Sequence, residues 1–211
     1  MDKHTIITIG RQYGSGGREI GQKLAERLGI KCYDNELLSI AAKESGLCQE
    51  VFEAHDEKPT NSFLYSLVMD TYHPYGTGGM IDVPLSQKIF LAQFETIKNI
   101  AKKESCVFVG RCADYALQDD YNVTSVFISS DMDSKIKRIC ERNNVTPSKA
   151  QEMILKTDKK RASYYNYYTN KKWGVCSSYD LCINSGKIGI DKAVDAVSYT
   201  HLRAHETEAD L

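Results

Sequence analysis

A β-branched run from Thr5 to Ile9 leads into a loop that carries Gly10, Gly14, Gly16 and Gly17, and the loop opens directly into an amphipathic stretch. Glycines at that spacing let successive backbone N–H groups turn toward one point. A helix that begins there adds partial positive charge to the same point. The chemistry such a cradle serves is phosphate binding, with Gly14, Ser15, Gly16, Gly17, Arg18 and Glu19 as the expected binding residues. With no ligand, the same residues would make only a tight turn.

The loop departs from the common phosphate-loop pattern G-x-x-x-x-G-K-[ST]. Aligned on Gly16, it puts Arg11 at the first glycine, Gly17 at the lysine and Glu19 near the hydroxyl. Arg18 is the nearby cation expected to replace the lysine. It is a planar fork rather than a point charge, so the exchange alters the geometry.

Elements that would position this loop follow from periodicity. Gly17–Leu28 reads as a helix with Ile20, Leu24 and Leu28 on one face and Gly29 as its stop. Ile30–Tyr33 reads as a second strand ending at Asp34. A helix starts at Glu36, and residues 44–84 form a less regular insertion that holds His55-Asp56-Glu57-Lys58-Pro59 and Tyr75–Gly79. Leu85–Lys103 is an amphipathic helix. Cys106–Val109, Val123–Ile128 and Tyr179–Ile183 are short apolar strands, and Thr146-Pro147 starts a helix expected to run through Lys160. Apolar strands separated by helices predict an α/β fold: a parallel sheet of about five strands with helices on both faces. Ligands of such sheets bind at the carboxyl ends of the strands. The glycine loop, Asp34, Gly110-Arg111 and Ser129–Asp131 all fall there.

The chain has 211 residues, a net charge of −1 and seven cysteines without a CxxC pair. A near-neutral chain has no global field to recruit nucleic acid or membrane, and the cysteine pattern argues against a zinc site. Reduced cysteines in apolar strands and a start without signal-peptide anatomy predict a cytoplasmic protein. Val197–Thr207 reads as a translated transposon-end adapter, so residues 197–211 are expected to be non-native. His201 and His205, at i,i+4 spacing within that tail, are set aside as metal ligands.

The segments ITIGRQYGSGGREIGQKLAERLG, CYD, VFVGRCADY and YDLCINSGKIGI resemble the cytidylate kinase-like branch of the P-loop nucleoside monophosphate kinases. The resemblance covers almost all of residues 5–196. It implies a three-layer core in one domain, 1–196, with a monophosphate-binding insertion at about 44–84 and a helical lid at about 131–175. It implies transfer of the ATP γ-phosphoryl group, with Mg²⁺, to a nucleoside monophosphate, CMP or dCMP first. A monomer is expected, with a dimer as the alternative.

Site roles follow from that resemblance. Arg111 matches the arginine of the family's Gly-Arg motif and would grip the acceptor phosphate; pairing with a core carboxylate is the alternative. Asp34 or Asp114 would face the acceptor ribose or base, or cap a helix. Arg18, Arg138, Arg142 and Arg161 are the catalytic candidates, Arg161 foremost because Asp158–Arg161 repeats the family's D-x-x-R spacing near the end of the lid. A solvated basic face is the plainer reading of these arginines. Ile40 stands where cytidylate kinases carry an arginine for the monophosphate. Two other readings remain: a regulatory nucleotide-binding module without catalysis, and a kinase of another small acceptor. Tyr164, Tyr165, Tyr167, Tyr168 and Trp173, with Lys171 and Lys172, could form a stacking platform for single-stranded nucleic acid. At helical spacing they are more simply the packing of lid on core.

Overall fold

Strand β1 (Ile6–Arg11) lies at the centre of a sheet of order β2-β3-β1-β4-β5. Its partners are β2 (Lys31–Tyr33), β3 (Cys106–Val109), β4 (Val123–Ser129) and β5 (Leu181–Asn184), and every pairing is parallel. The computed structural model describes residues 4–46, 48–57, 85–119 and 123–209. The Tyr75–Gly79 loop and the side chains of His201 and His205 lie outside the described residues.

Alternation along the strands sorts the core into two layers. Ile7, Ile9, Val107, Val126 and Ile128 face α1 (Gly17–Leu28) and α9 (Ile190–Ala209), which contribute Ile20, Leu24, Ala193, Val194 and Val197. Ile6, Cys106 and Phe108 face the other way. They meet Leu37 of α2 (Glu36–Ser45), Ile97 and Ile100 of α4 (Leu85–Ala101), and Ala113 and Leu117 of α5 (Ala113–Leu117). The result is the three-layer α/β fold read from the sequence.

Part of the irregular insertion is helical. α3 (Gln49–His55) buries Phe52 against Leu38, Ala42 and Ile89, and delivers Asp56 and Glu57 to the mouth of the sheet. Ile40 is packed into the second core layer, so it offers no polar group.

After β4 the chain forms α6 (Met132–Asn143) and α7 (Pro147–Tyr168). Asp131 caps α6 by accepting from the Ser134 N–H at 2.9 Å. Ile139, Ala150 and Ile154 join the two helices, with Tyr13 of the glycine loop against them. α7 continues past Lys160 to Tyr168 because its last turns are buried: Tyr168 stacks on Phe90 at 3.9 Å, and Tyr164 and Tyr165 are interior. Trp173 packs edge-on to Phe127. These aromatics join α7 to the core, although Tyr167 is half exposed. A short α8 (Ser185–Ile188) follows β5. α9 runs unbroken through position 196, and Val197 is fully buried. Among the described residues no helix is long and apolar enough to cross a membrane.

Candidate active site

β1 ends at Arg11 and the chain turns over the sheet through Gly14 and Gly16, both at positive φ (82° and 79°). Gly16 is the N-cap of α1 and makes no side-chain capping bond, the arrangement that suits an anion at a helix N-terminus. In front of them lies a cleft of about 880 Å³. Gly14, Gly16, Gly17, Arg18, Glu19, Asp34, Arg111, Arg138, Arg142 and Arg161 all line it. The cleft therefore gathers most of the residues expected from sequence.

Two expected residues point elsewhere. The Ser15 hydroxyl is fully buried and donates to the Gln12 carbonyl at 2.8 Å, so it closes the loop rather than facing the cleft. Asp114 lies beneath the aromatic end of α7, where it accepts from the Tyr165 hydroxyl at 2.6 Å. Burial raises its pKa, and the Tyr165 donation only partly offsets that.

Arg111 is 2% exposed in its side chain and fully engaged. Its Nε and Nη2 meet Asp56 at 3.1 and 3.0 Å, Nη2 also meets Asn35 at 3.0 Å, and Nη1 donates to the Val109 carbonyl at 2.9 Å and to Asp34. All of the guanidinium's five N–H donors are thus used. Burial alone would lower its pKa; Asp56, Glu57 and Asp34 outweigh that and raise it. Gly110, Arg111 and Cys112 are three successive left-handed residues (φ 81°, 55° and 57°), two of them strained non-glycines. This turn brings Arg111 to Asp34 after β2 and to Asp56 at the end of α3.

Helices α6 and α7 supply Arg138, Arg142 and Arg161. Arg138 donates to the Gly14 carbonyl at 2.7 Å, directly on the glycine loop. Arg142 lies over the Tyr13 ring at 4.9 Å, and Arg161 lies 5.8 Å from the same ring. Asp158 and Arg161, one turn apart on α7, hold opposite ends of the segment 11–13. Asp158 accepts the Tyr13 N–H at 2.6 Å, and Arg161 donates to the Arg11 carbonyl at 3.2 Å. Buried Lys135 reaches both Asp158 and Gln12 at 3.3 Å. Arg18 is mostly exposed and pairs with Asp34 at 3.0 Å.

Arg11, Asp56 and Glu57 were not among the residues expected from sequence. Glu57 accepts from Arg11 Nη1 at 2.6 Å and from Arg161 Nε at 2.9 Å. Burial pushes its pKa up, but Arg11, Arg161 and Arg111 hold it far below the ordinary carboxylate range. The available signal was the pairing of Arg11 with Gly17 against the common loop pattern. Nothing periodic marks Asp56 or Glu57.

Comparison with known proteins agrees with this geometry. The model of the cytidylate kinase-like family matches residues 6–187. An uncharacterized protein from Eubacterium ventriosum ATCC 27560 is similar in structure, at 35% identity and TM-score 0.71, over 94% of this chain and 98% of that one. A gluconokinase from Sinorhizobium meliloti 1021 (14% identity, TM-score 0.54, 97% and 95% covered) shares the fold. So does shikimate kinase from Bacteroides thetaiotaomicron (12%, 0.51, 93% and 97%). No curated protein matches. With a glycine loop, a parallel sheet and an arginine-lined cleft at the strand ends, and with the family model spanning nearly all of the core, the chain belongs to the cytidylate kinase-like family.

Proposed function

We propose that this protein transfers the γ-phosphoryl group of ATP to a small acceptor, with CMP or dCMP the first acceptor to test. One observation carries the reading: Arg11, Arg18, Arg111, Arg138, Arg142 and Arg161 converge on one cleft at a glycine loop and helix N-terminus. Phosphoryl transfer needs positioning and charge neutralisation more than a nucleophilic side chain, and convergent guanidiniums supply both.

ATP would lie with its phosphates along Gly14–Glu19. Mg²⁺ would arrive with ATP as part of the substrate. Among the described residues no group of three or more His, Cys, Asp or Glu is placed to hold a metal ion. Glu19, a cleft-lining carboxylate in the first turn of α1, would meet the ion through its hydration water.

The acceptor end lies near Asp34, Asn35, Asp56 and Arg111. For a nucleoside monophosphate, Arg111 must exchange a carboxylate for the acceptor phosphate. Its full set of partners and the apolar, partly buried Ile40 favour a second reading, a hydroxylated acceptor without a phosphate, held by Asp34 and Asp56. A coupled assay of ADP release decides between them, run across nucleoside monophosphates, sugars and hydroxy acids. Turnover with CMP or dCMP alone supports the first reading and turnover with only an unphosphorylated acceptor supports the second. ATP binding without turnover on any acceptor would instead indicate a regulatory module.

A further inference from the structure

Two departures in the glycine loop are complementary in space. Arg11 stands where the common pattern has its first glycine, and Gly17 where it has its lysine. A Cβ on Gly17 would lie 2.5 Å from Arg11 Cβ and 3.1 Å from Arg11 Cγ. The Arg11 stem therefore fills the space in which a side chain at position 17 would begin. Further along, the guanidinium crosses Gly110, where an added Cβ would meet Arg11 Cζ at 2.7 Å. Gly17 and Gly110 thus clear a path for Arg11, which lines the cleft beside Gly14, Gly16 and Gly17.

Glu57 fills the far end of that path. Its side chain is 9% exposed and lies between Arg11 Nη1 and Arg161 Nε, at 2.6 and 2.9 Å. An anion held between two guanidiniums beside a phosphate loop satisfies the recognition chemistry of a phosphoryl group. Arg18 lacks this setting, because it is mostly exposed and paired with Asp34.

We infer that the role of the phosphate-loop lysine has moved to Arg11: its guanidinium, with Arg161 opposite, binds the transferring phosphoryl of ATP, and Glu57 occupies that seat until the nucleotide enters. The inference rests on the ATP-dependent reading above. In the step it serves, the bond from the γ-phosphorus to the β–γ bridging oxygen breaks and its electron pair leaves with ADP. A bond forms from phosphorus to the acceptor oxygen, and the acceptor's proton passes to solvent. Arg11 stays protonated throughout and stabilises charge on the phosphoryl oxygens.

The test exchanges the two residues. Wild type, Arg11→Gly, Gly17→Lys and the double variant Arg11→Gly/Gly17→Lys are compared for Mg·ATP affinity by calorimetry and for single-turnover loss of the γ-phosphoryl to water. Thermal melts establish which variants are folded. Each single change is expected to lower the rate by about 10²-fold, and the double to return within about tenfold of wild type by restoring a lysine in the vacated space. Glu57→Gln, which removes the competing anion, is expected to tighten Mg·ATP binding by about tenfold. This variant decides the case if Arg11→Gly does not fold. Wild-type rate in folded Arg11→Gly, or weaker ATP binding in Glu57→Gln, overturns the assignment of Arg11. Absence of Mg·ATP binding to wild type overturns the ATP-dependent reading itself.

Discussion

Arg111 and Asp56 meet fork to fork, Nε on Oδ1 at 3.1 Å and Nη2 on Oδ2 at 3.0 Å, across the gap between the β3 turn and the end of α3. The pair is buried on the arginine side, and Asp34 closes it from the β2 end. One guanidinium thus ties three separate segments of chain into one wall of the cleft.

Removing that guanidinium takes from Asp56 the arginine it meets fork to fork and leaves Asp34 with Arg18 alone. Arg111→Ala is expected to cost about 3–5 kcal/mol, the range for breaking a buried pair from one side. Arg111→Lys restores a charge but not the fork, so it should recover only part of the loss. Urea unfolding measures both. Wild-type stability in Arg111→Ala would mean that the three segments are held together by other contacts.

Glu57 gives the fold an acid-sensitive point. Its folded pKa lies below the ordinary value of 4.5, so its stabilisation is complete above that pH and is lost as pH falls toward the depressed value. Glu57→Gln should be less stable than wild type at pH 7, and the difference should shrink on acidification below about pH 4.5. Thermal melts from pH 7 to pH 3 read the gap directly. A gap that stays constant over that range contradicts the ionic account.

Asp114 has the opposite sign. Burial raises its folded pKa, so the carboxyl favours the fold most at low pH and loses that advantage as pH rises through the raised value. Asp114→Asn keeps an oxygen to accept from the Tyr165 hydroxyl and carries no charge. The variant should be more stable than wild type at pH 8 and gain nothing at pH 3. Equal stability at both pH values would show that the buried carboxylate is better solvated than its surroundings indicate.

These residues also mark how far the sequence could be read. The sheet was legible because apolar strands and amphipathic helices alternate, and the glycine loop because its φ demands leave glycine in the sequence. Arg138 and Arg142 were legible as cations one helical turn apart and Arg161 by the family's D-x-x-R spacing, but their order of approach was not. Arg138 reaches the Gly14 carbonyl, since Lys135 and Ile139 of α6 pack against Gly14, while Arg161 reaches the Arg11 carbonyl from α7. Asp56 and Glu57 follow a short helix in a polar stretch without periodicity, and only tertiary packing reveals what they face. Arg11 was visible as an exception to a pattern. Its path is set by two glycines, one of them almost a hundred residues away in sequence, and local reading cannot connect such positions.

The last prediction concerns the end of α9. The sequence reading places non-native residues from Val197 onward, yet Val197 is fully buried against the first core layer with Val194 and Ala193. The Thr200 hydroxyl donates to the Ala196 carbonyl at 2.9 Å within the same helix. Two truncations separate the contributions. Deleting residues 201–211 should leave stability and ATP turnover unchanged. Deleting 197–211 empties the site of one buried valine and should cost about 1.5–3 kcal/mol, with turnover per folded molecule preserved. Denaturant melts and the ADP-release assay measure both quantities on the same samples. If the shorter deletion unfolds the protein, residues 201–211 belong to the fold and the adapter origin is wrong. If the longer deletion costs nothing, the helix ends functionally at Ala196 and Val197 only fills space that the core can close without it.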